Sequence, residues 1–519
     1  MKVLLVTGQL ASEALATYAK QSQVKTEIIP LKTAVAAFLT PQSIINGLKD
    51  KTLSDFTHIL TPGLLRGNTA DITQAVGVPA FKGPRYAADL PIVLDMLCEI
   101  ELSTTIPADE LLQEKLTQKA LADIEKIENK RNILLQRPGN MLVGEVAIGK
   151  DFPIRVLAEI VDAALMDKKS IQKIAQRFAL DGADFIDIGM VAGESWPEKV
   201  TQLVQWVREV TDLSVSIDTL DPEEIKAAVQ AGVQLVLSAD AGNIEAIAPY
   251  VKNVAVVVIP TNQRLGYFPK TVLERVRFLE EIIVKARGLG VNRLIADLIL
   301  DPQEILNSFI AFKEFALRNP EVPLFVGVSN VTELFDADSV GLNAVLTRLS
   351  AEVGGCILLA TEKSVKAKGT VFEEVVAAKM MFLAKYRGSV PKDLGVDLLI
   401  FKDKRVYGEP YDEAIELDVK DLVVVSEKVE SVTLDCLGVF RIFIDSDRRL
   451  LVAVHYSVFD LSEPVNIIKG RTASVVYAKI LELGLVSSLE HAAYLGKELT
   501  KAEIALKTAK GYVQDGVLF

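Results

Sequence analysis

The sequence predicts an α/β fold centred on a TIM-type (β/α)8 barrel, and three observations predict it. Between residues 138 and 388, eight apolar runs of strand length alternate with helix-patterned segments. Eight such units in roughly 250 residues is the usual span of this barrel. No GxGxxG follows the first run, which argues against a doubly wound nucleotide-binding sheet. Several runs also end in small or acidic residues: Asp187 with Gly189, Asp218, and Ser238. Parallel strands deliver such groups to one rim of a barrel, where barrel active sites lie. At 519 residues the chain is too long for one domain. The barrel is therefore expected between an N-terminal small open α/β sheet domain (1–135) and a C-terminal α+β domain (389–519).

In the leading segment, KVLLVTG reads as a buried parallel strand that turns into a helix at Ser12. TEIIPL, THILTPG and VPAFKG are further short strands, with helices at Pro41–Leu48, Asp71–Val76 and Pro91–Glu101. A long polar helix follows from Pro107, a residue suited to the first helical turn. The eight barrel strands are read as MLVGEVA (141–147), DFIDIG (184–189), VSID (215–218), QLVLSA (234–239), VAVVVI (254–259), RLIAD (293–297), PLFVGVS (323–329) and CILLAT (356–361). PEEIKAAVQAG carries a clear helix stop at Gly232. In the trailing segment, VDLLIFKD, DLVVVSE, VFRIFID and LLVAVHYS have strand-like alternation, DSDRR marks a hairpin turn, and two helices follow.

A formal charge of -12 argues against a nucleic-acid surface. Cys98, Cys356 and Cys436 lie far apart, which fits a reducing, cytoplasmic setting rather than a disulfide framework. The three histidines and three cysteines have no metal-ligand spacing, so no metal ligand is named from them. No apolar stretch approaches the roughly 20 residues of a membrane span, and no signal peptide is read at the start. No Ser or Cys sits in a nucleophile motif.

Asp187, Asp218 and Asp297 each end a predicted strand. A carboxylate on such a rim can accept two parallel hydrogen bonds from a planar donor pair. The ring NH and exocyclic amine of a pterin offer such a pair.

Here the chain resembles a known family. GADFIDIG…GES and VSIDTLDPEEIKAAVQAG are similar to the second and third strand motifs of dihydropteroate synthases. RLIADLILDP resembles their sixth strand and PLFVGVSNVTEL their seventh. VTGQLA, PGLLRGN, FKGPRYAADLP, GVSNVTELFDADSVGLNA, ATEKSVKAKG and HAAYLGKEL…YVQD extend the likeness along the chain to archaeal-type dihydropteroate synthase-related proteins. The resemblance implies that Asp218 and Asp297 approach the pterin and that Asp187 supports its strand end. It matches Ser329 to the seventh-strand serine, with Asn330 where the synthases carry an arginine before a lysine. Leu237-Ser238 replaces an Asn-Asp pair, for which Asp240 and Asn243 are the substitutes. Glu145 falls near a first-strand Asn that helps hold diphosphate. The synthase lysine of strand seven and the Arg and His of strand eight are absent. Arg264, Lys363, Lys366 and Lys368 are the cations available to a phosphate, with or without Mg2+.

The resemblance thus implies a cytoplasmic pterin-binding protein, expected as a homodimer, with a small-molecule pterin and an arylamine-type acceptor as partners. Alkyl transfer from a 6-hydroxymethyl-dihydropterin diphosphate is the leading reading. Methyl transfer from a methyl-tetrahydropterin to a corrinoid and a non-catalytic pterin-binding scaffold are the alternatives. Arg66, Lys82 and Arg85 of the leading domain are read as interface-packing residues, with anion binding as the alternative, and His491, Tyr494 and Tyr512 of the trailing one as core or interface residues ahead of catalysts.

Overall fold

The structure, a computed structural model, describes residues 1–402 and 434–518. It divides into two compact units, Met1–Pro410 and Tyr411–Phe519. The first unit opens with a parallel sheet of β1 (Lys2–Thr7), β2 (Lys25–Pro30), β3 (His58–Thr61) and β4 (Ala80–Lys82), in the order β2-β1-β3-β4. Strand β1 shows why its run is continuously apolar. Leu4 and Val6 pack into one core and Val3 and Leu5 into another, so both faces of the sheet are buried. The helix Pro41–Leu48 forms as expected, closed by a capping box between Thr40 and Ser43. The expected helix at 91–101 is shorter, Leu90–Asp95.

The long helix Ala108–Glu128 ties this sheet to the barrel. Arg85 forks onto Asp109 at 2.8 Å and Glu110 at 2.9 Å, which gives it the packing role expected of it. At the other end Arg387 of the last barrel helix donates two hydrogen bonds to Asp123 Oδ2, at 3.0 and 2.9 Å. Ala120 packs beside them against Leu383, Ala384 and Leu394.

The barrel itself corrects one expectation. MLVGEVA is not its first strand but a hairpin of β5 (Asn140–Val143) and β6 (Val146–Gly149). Gly144 turns it at φ +56°, a conformation that favours glycine. The closed barrel is built from β7 (Arg155–Ile160), β8 (Phe185–Gly189), β9 (Ser214–Asp218), β10 (Leu235–Ala239), β11 (Ala255–Val258), β12 (Leu294–Ala296), β13 (Leu324–Val326) and β14 (Gly355–Thr361), all parallel. Inward residues Leu157, Phe185, Leu235, Val257, Ile295, Phe325 and Ile357 fill its lower interior, and Val143 and Ile148 of the hairpin form its floor. Burial of each such side chain contributes about 1.5–3 kcal/mol. Outward residues such as Ile186, Ile188, Val215 and Ile217 pack against the helices.

In the second unit β15 (Val439–Asp445), β16 (Leu450–Ser457) and β17 (Asp460–Gly470) form an antiparallel sheet. The helices Ala473–Glu482 and Leu489–Thr508 cover it. The third strand was not expected from the sequence. Of the other strand candidates, residues 396–402 form no strand, and DLVVVSE lies outside the described residues. Asp435 organises this unit. It accepts hydrogen bonds from Leu437 N, Ser487 N, Ser487 Oγ and Ser488 N at 2.6–3.0 Å, and lies 3.1 Å from His491 Nδ1. Tyr494 and Tyr512 donate to Asp515 and Glu498.

Candidate active site: an acidic layer at the carboxyl rim

Side chains alternate along a strand with period two, so the residues above the apolar interior also point inward. There the inward positions change from apolar to polar. In register across neighbouring strands stand Thr361, Glu159, Asp187 and Ser216. Asp218 follows Ser216 one inward position higher, and Asp297 stands just past β12, its N–H still bonded to Val258 O at 2.9 Å. The result is an acidic layer on a hydrophobic column.

Each carboxylate has a distinct setting. Thr361 Oγ1 donates to Glu159 Oε2 at 2.9 Å, and Ser216 Oγ donates to Asp187 Oδ1 at 2.5 Å. Asp297 accepts from Ile299 N at 2.8 Å, and Ile299 holds φ +63° to present that N–H. Such a conformation costs a β-branched residue on the order of 1–3 kcal/mol and clusters at functional sites. Among the described residues no group donates a hydrogen bond to the Asp218 carboxyl, although its backbone carbonyl accepts from Met190 N at 3.0 Å. Burial, then the charges of Glu159 and Asp297, push its carboxyl up to about 8. Burial pushes Asp297 up to about 7 against the pull of Ile299 N–H and Arg275. Burial and the neighbouring Asp218 and Glu159 also raise Asp187 well above the carboxylate range. Arg275, 3% exposed, lies over the Phe268 ring and donates to Ile299 O and Ser308 Oγ.

A model described as pterin binding enzyme matches residues 160–367. Residues 1–85 match a family of unknown function, DUF6513, and residues 434–515 match PterinBD-DUF4346. Over all of its length the chain is 39% identical to the uncharacterized protein MJ0107 of Methanocaldococcus jannaschii, of which it covers 99%. The chain belongs to the dihydropteroate synthase-related pterin-binding proteins. A Ycf91-like protein of Nostoc is 32% identical over 127 residues, covering 20% of this chain and all of that one. Among solved structures, Yersinia pestis dihydropteroate synthase covers 49% of this pterin-binding chain at 18% identity and a TM-score of 0.37, over 100% of its own length. The Xanthomonas albilineans synthase in complex with 7,8-dihydropteroate covers 46% at 21% identity and a TM-score of 0.36, over 96% of its own.

The structure brings together Asp187, Asp218 and Asp297 of this pterin-binding protein as the sequence predicts. Other candidates are placed differently. Glu145 sits in the hairpin turn at the floor, exposed and 3.7 Å from Arg131, because its run is not a barrel strand. Asp240 accepts from Gly242 N, Asn243 N, Thr261 Oγ1 and Gln263 N at 2.7–3.1 Å. Asn243 donates to Leu220 O and Ser238 O, so both residues brace the loops after β10 and β11. Asn330 donates to Leu300 O at 3.4 Å, and Ser329 Oγ accepts from Thr361 N at 2.6 Å. Lys363 pairs with Asp162 at 2.8 Å and Lys366 with Asp336 at 2.7 Å. Arg264 and Lys368 are exposed and unpaired among the described residues. Glu159, Ser216, Thr361 and Arg275 were not read from the sequence. Glu159 carried a signal, an acidic residue in the fifth of the six positions of RVLAEI, but its strand was missed. The other three depend on cross-strand register or loop packing.

Proposed function

We propose that the barrel binds a pterin through Asp218 and Asp297 and catalyses alkyl transfer in folate or tetrahydromethanopterin biosynthesis. The observation that carries this reading is the pair of buried rim carboxyls in a barrel of a pterin-binding family. The ring NH and exocyclic amine would donate to the Asp297 carboxylate, two parallel bonds of the kind a planar donor pair forms. Asp218 would lie beside the ring. In the reaction the nitrogen of an arylamine-type acceptor attacks the pterin methylene, the carbon–oxygen bond to diphosphate breaks, and the amine loses a proton. Negative charge fixed near a methylene that becomes cationic stabilises that transition state without reorganisation. Arg264 and Lys368, unpaired among the described residues, are rim-loop cations that would meet the diphosphate.

A second reading is favoured by the proton-rich layer. Carboxyls that titrate near 7 and 8 hold protons at neutral pH, as a general acid must when a methyl-tetrahydropterin gives up its methyl group. Diphosphate release from a pterin diphosphate with arylamine, against methyl transfer to free cobalamin, separates the two. Titration calorimetry with a 7,8-dihydropterin tests what they share. Binding should be lost in Asp297→Ala, and parent-like affinity in that variant would remove the site assignment. Tight binding with neither turnover would leave a pterin-binding scaffold.

The reading includes a homodimer in the cytosol. Leu306, Ile310 and Leu317 support the dimer, exposed at 75%, 45% and 67% along the helix Ile305–Arg318. Sedimentation equilibrium measures it. Three free cysteines suit the cytosol.

A further inference from the structure

The parallel sheet that opens the chain carries a cleft of its own. Its order, β2-β1-β3-β4, sends the chain opposite ways from the two central strands. After β1 the chain enters the helix Ser12–Ala19, whose Leu15 and Ala19 pack on the Val3 and Leu5 face. After β3 it enters the helix Ala70–Val76, whose Ile72 packs on the Leu4 and Val6 face. Loops that part in this way leave a crevice at the carboxyl ends of the strands, where open α/β sheets take ligands. The loops close in two pairs on either side of it. Gln9 N and Leu10 N donate to Thr33 O and Ala34 O at 3.0 and 3.1 Å, and Gly63 N donates to Pro84 O at 3.1 Å. Gly8 and Gly63 permit this closure, since a Cβ would stand 2.6 Å from Ala36 N and 2.5 Å from Arg85 N. Among the described residues no hydrogen bond runs from residues 8–11 to residues 62–69, the loops of the two central strands.

The crevice favours an anion. Thr7, 3% exposed, ends β1 on the same face as Leu5, toward the start of the helix Ser12–Ala19. Its hydroxyl has no partner among the described residues and still meets solvent. Ala11 gives that helix no side-chain cap, so its first N–H groups are open to an acceptor. The stretches 7–11, 31–40, 61–69 and 82–88 hold no Asp or Glu in a chain of net charge -12, but carry Lys32, Arg66, Lys82 and Arg85. Acidic residues return only in the helices that follow, at Glu13, Asp71 and Asp89. Arg85 is held by Asp109 and Glu110, and the other three cations have no partner among the described residues. Each loop also exposes a large apolar side chain: Leu10, Phe38 at 73%, Leu64 and Tyr86. Exposed apolar groups gathered on one edge mark a binding surface, and cations beside open N–H groups favour phosphate.

We infer that this crevice binds a mononucleotide-class ligand, a planar heterocycle that carries phosphate or diphosphate. Lys32, Arg66 and Thr7 would meet the phosphate, and Phe38 the ring. The β1 turn holds one glycine, Gly8, without the spacing of a dinucleotide fingerprint, so a single ring is the fit. A nucleoside diphosphate and a pterin diphosphate share this chemistry. The crevice is separate from the barrel rim and does not rest on the reading given to that rim.

The test is titration calorimetry on the full chain, as parent and as Asp297→Ala, with ADP and with 6-hydroxymethyl-dihydropterin diphosphate. ADP should bind equally to both, and about tenfold or more weakly to Arg66→Ala and to Phe38→Ala, whose altered side chains are exposed. Adenosine and inorganic diphosphate, each with half of the ligand, should bind about tenfold or more weakly than ADP. Lys51→Ala, which removes a cation at the opposite edge of the sheet before β3, should bind as the parent does. Pterin diphosphate binding that survives Asp297→Ala and is lost in Arg66→Ala would support the crevice and name the pterin as its source. Absence of binding by both ligands at millimolar concentration in Asp297→Ala, parent-like affinity in Arg66→Ala, or equal loss in Lys51→Ala would each overturn the site. Cosedimentation with phosphatidylserine vesicles and no binding of either ligand would make this edge a lipid-facing surface and also overturn it. Failure here leaves the barrel reading to its own test, since Asp297 lies outside the crevice.

Discussion

Replacing Asp297 by Asn should make the barrel less sensitive to alkaline pH, at the expense of its ligand. Asp297 is 7% exposed and titrates near 7 in the fold instead of at 3.8. A carboxyl whose folded value is raised binds more protons folded than unfolded between those two values. Stability therefore falls as pH rises through that window and levels off above it. Between pH 5 and pH 8 the parent should lose roughly 3 kcal/mol from this group alone. Asparagine has nothing to ionise and removes that loss. It also eases Asp218, which the Asp297 charge helps to raise, so the difference can only grow. Both tryptophans, Trp196 and Trp206, lie in the barrel sequence, so urea melts followed by tryptophan fluorescence report this region. If parent and Asp297→Asn lose the same stability between pH 5 and pH 8, Asp297 does not hold a proton as argued.

Three further outcomes follow from the same geometry. Two donors from a pterin should lower the Asp297 titration, so binding should release a proton and weaken as pH falls below about 7; calorimetry in buffers of different ionisation enthalpy measures this, and a flat profile speaks against the contact. Gly189→Ala should keep the fold at a cost of about 1–3 kcal/mol, because the Glu159 carboxylate it displaces is a flexible end; a urea melt measures this, and loss of the folded state would show that Glu159 cannot give way. In the second unit, burial pushes Asp435 up but is outweighed by its donors, which hold it well below the ordinary range. Its stabilisation is present above the ordinary carboxylate value and lost as pH falls. Asp435→Asn should destabilise this unit by about 1.5–3 kcal/mol at neutral pH, read as faster hydrogen exchange in residues 439–470, and unchanged exchange would make Asp435 a bystander.

The barrel was legible because seven of its eight strands are short apolar runs bounded by turn residues. The eighth was displaced by a real ambiguity. MLVGEVA is as apolar as a buried strand, and only Gly144 in its middle marks a hairpin. Choosing it hid β7, and with β7 went Glu159. Asp218 and Asp297 were visible because they end their runs. Their neighbours Ser216 and Thr361 were not, since a hydroxyl within an apolar strand gains its role only from the strand beside it. The loop lysines looked free in sequence, but Asp162 and Asp336, distant along the chain, engage two of them.

The hairpin floor has a practical consequence for anyone dissecting this chain. Val143 and Ile148 cover Leu157, Phe185 and Ile357 from below. Arg155, which opens β7, is anchored to Glu128 at 2.7 Å, on the helix before the hairpin. A fragment cut just ahead of β7 would expose that underside to water and aggregate. The smallest autonomous barrel must start no later than the helix Ala108–Glu128, well upstream of the first barrel strand.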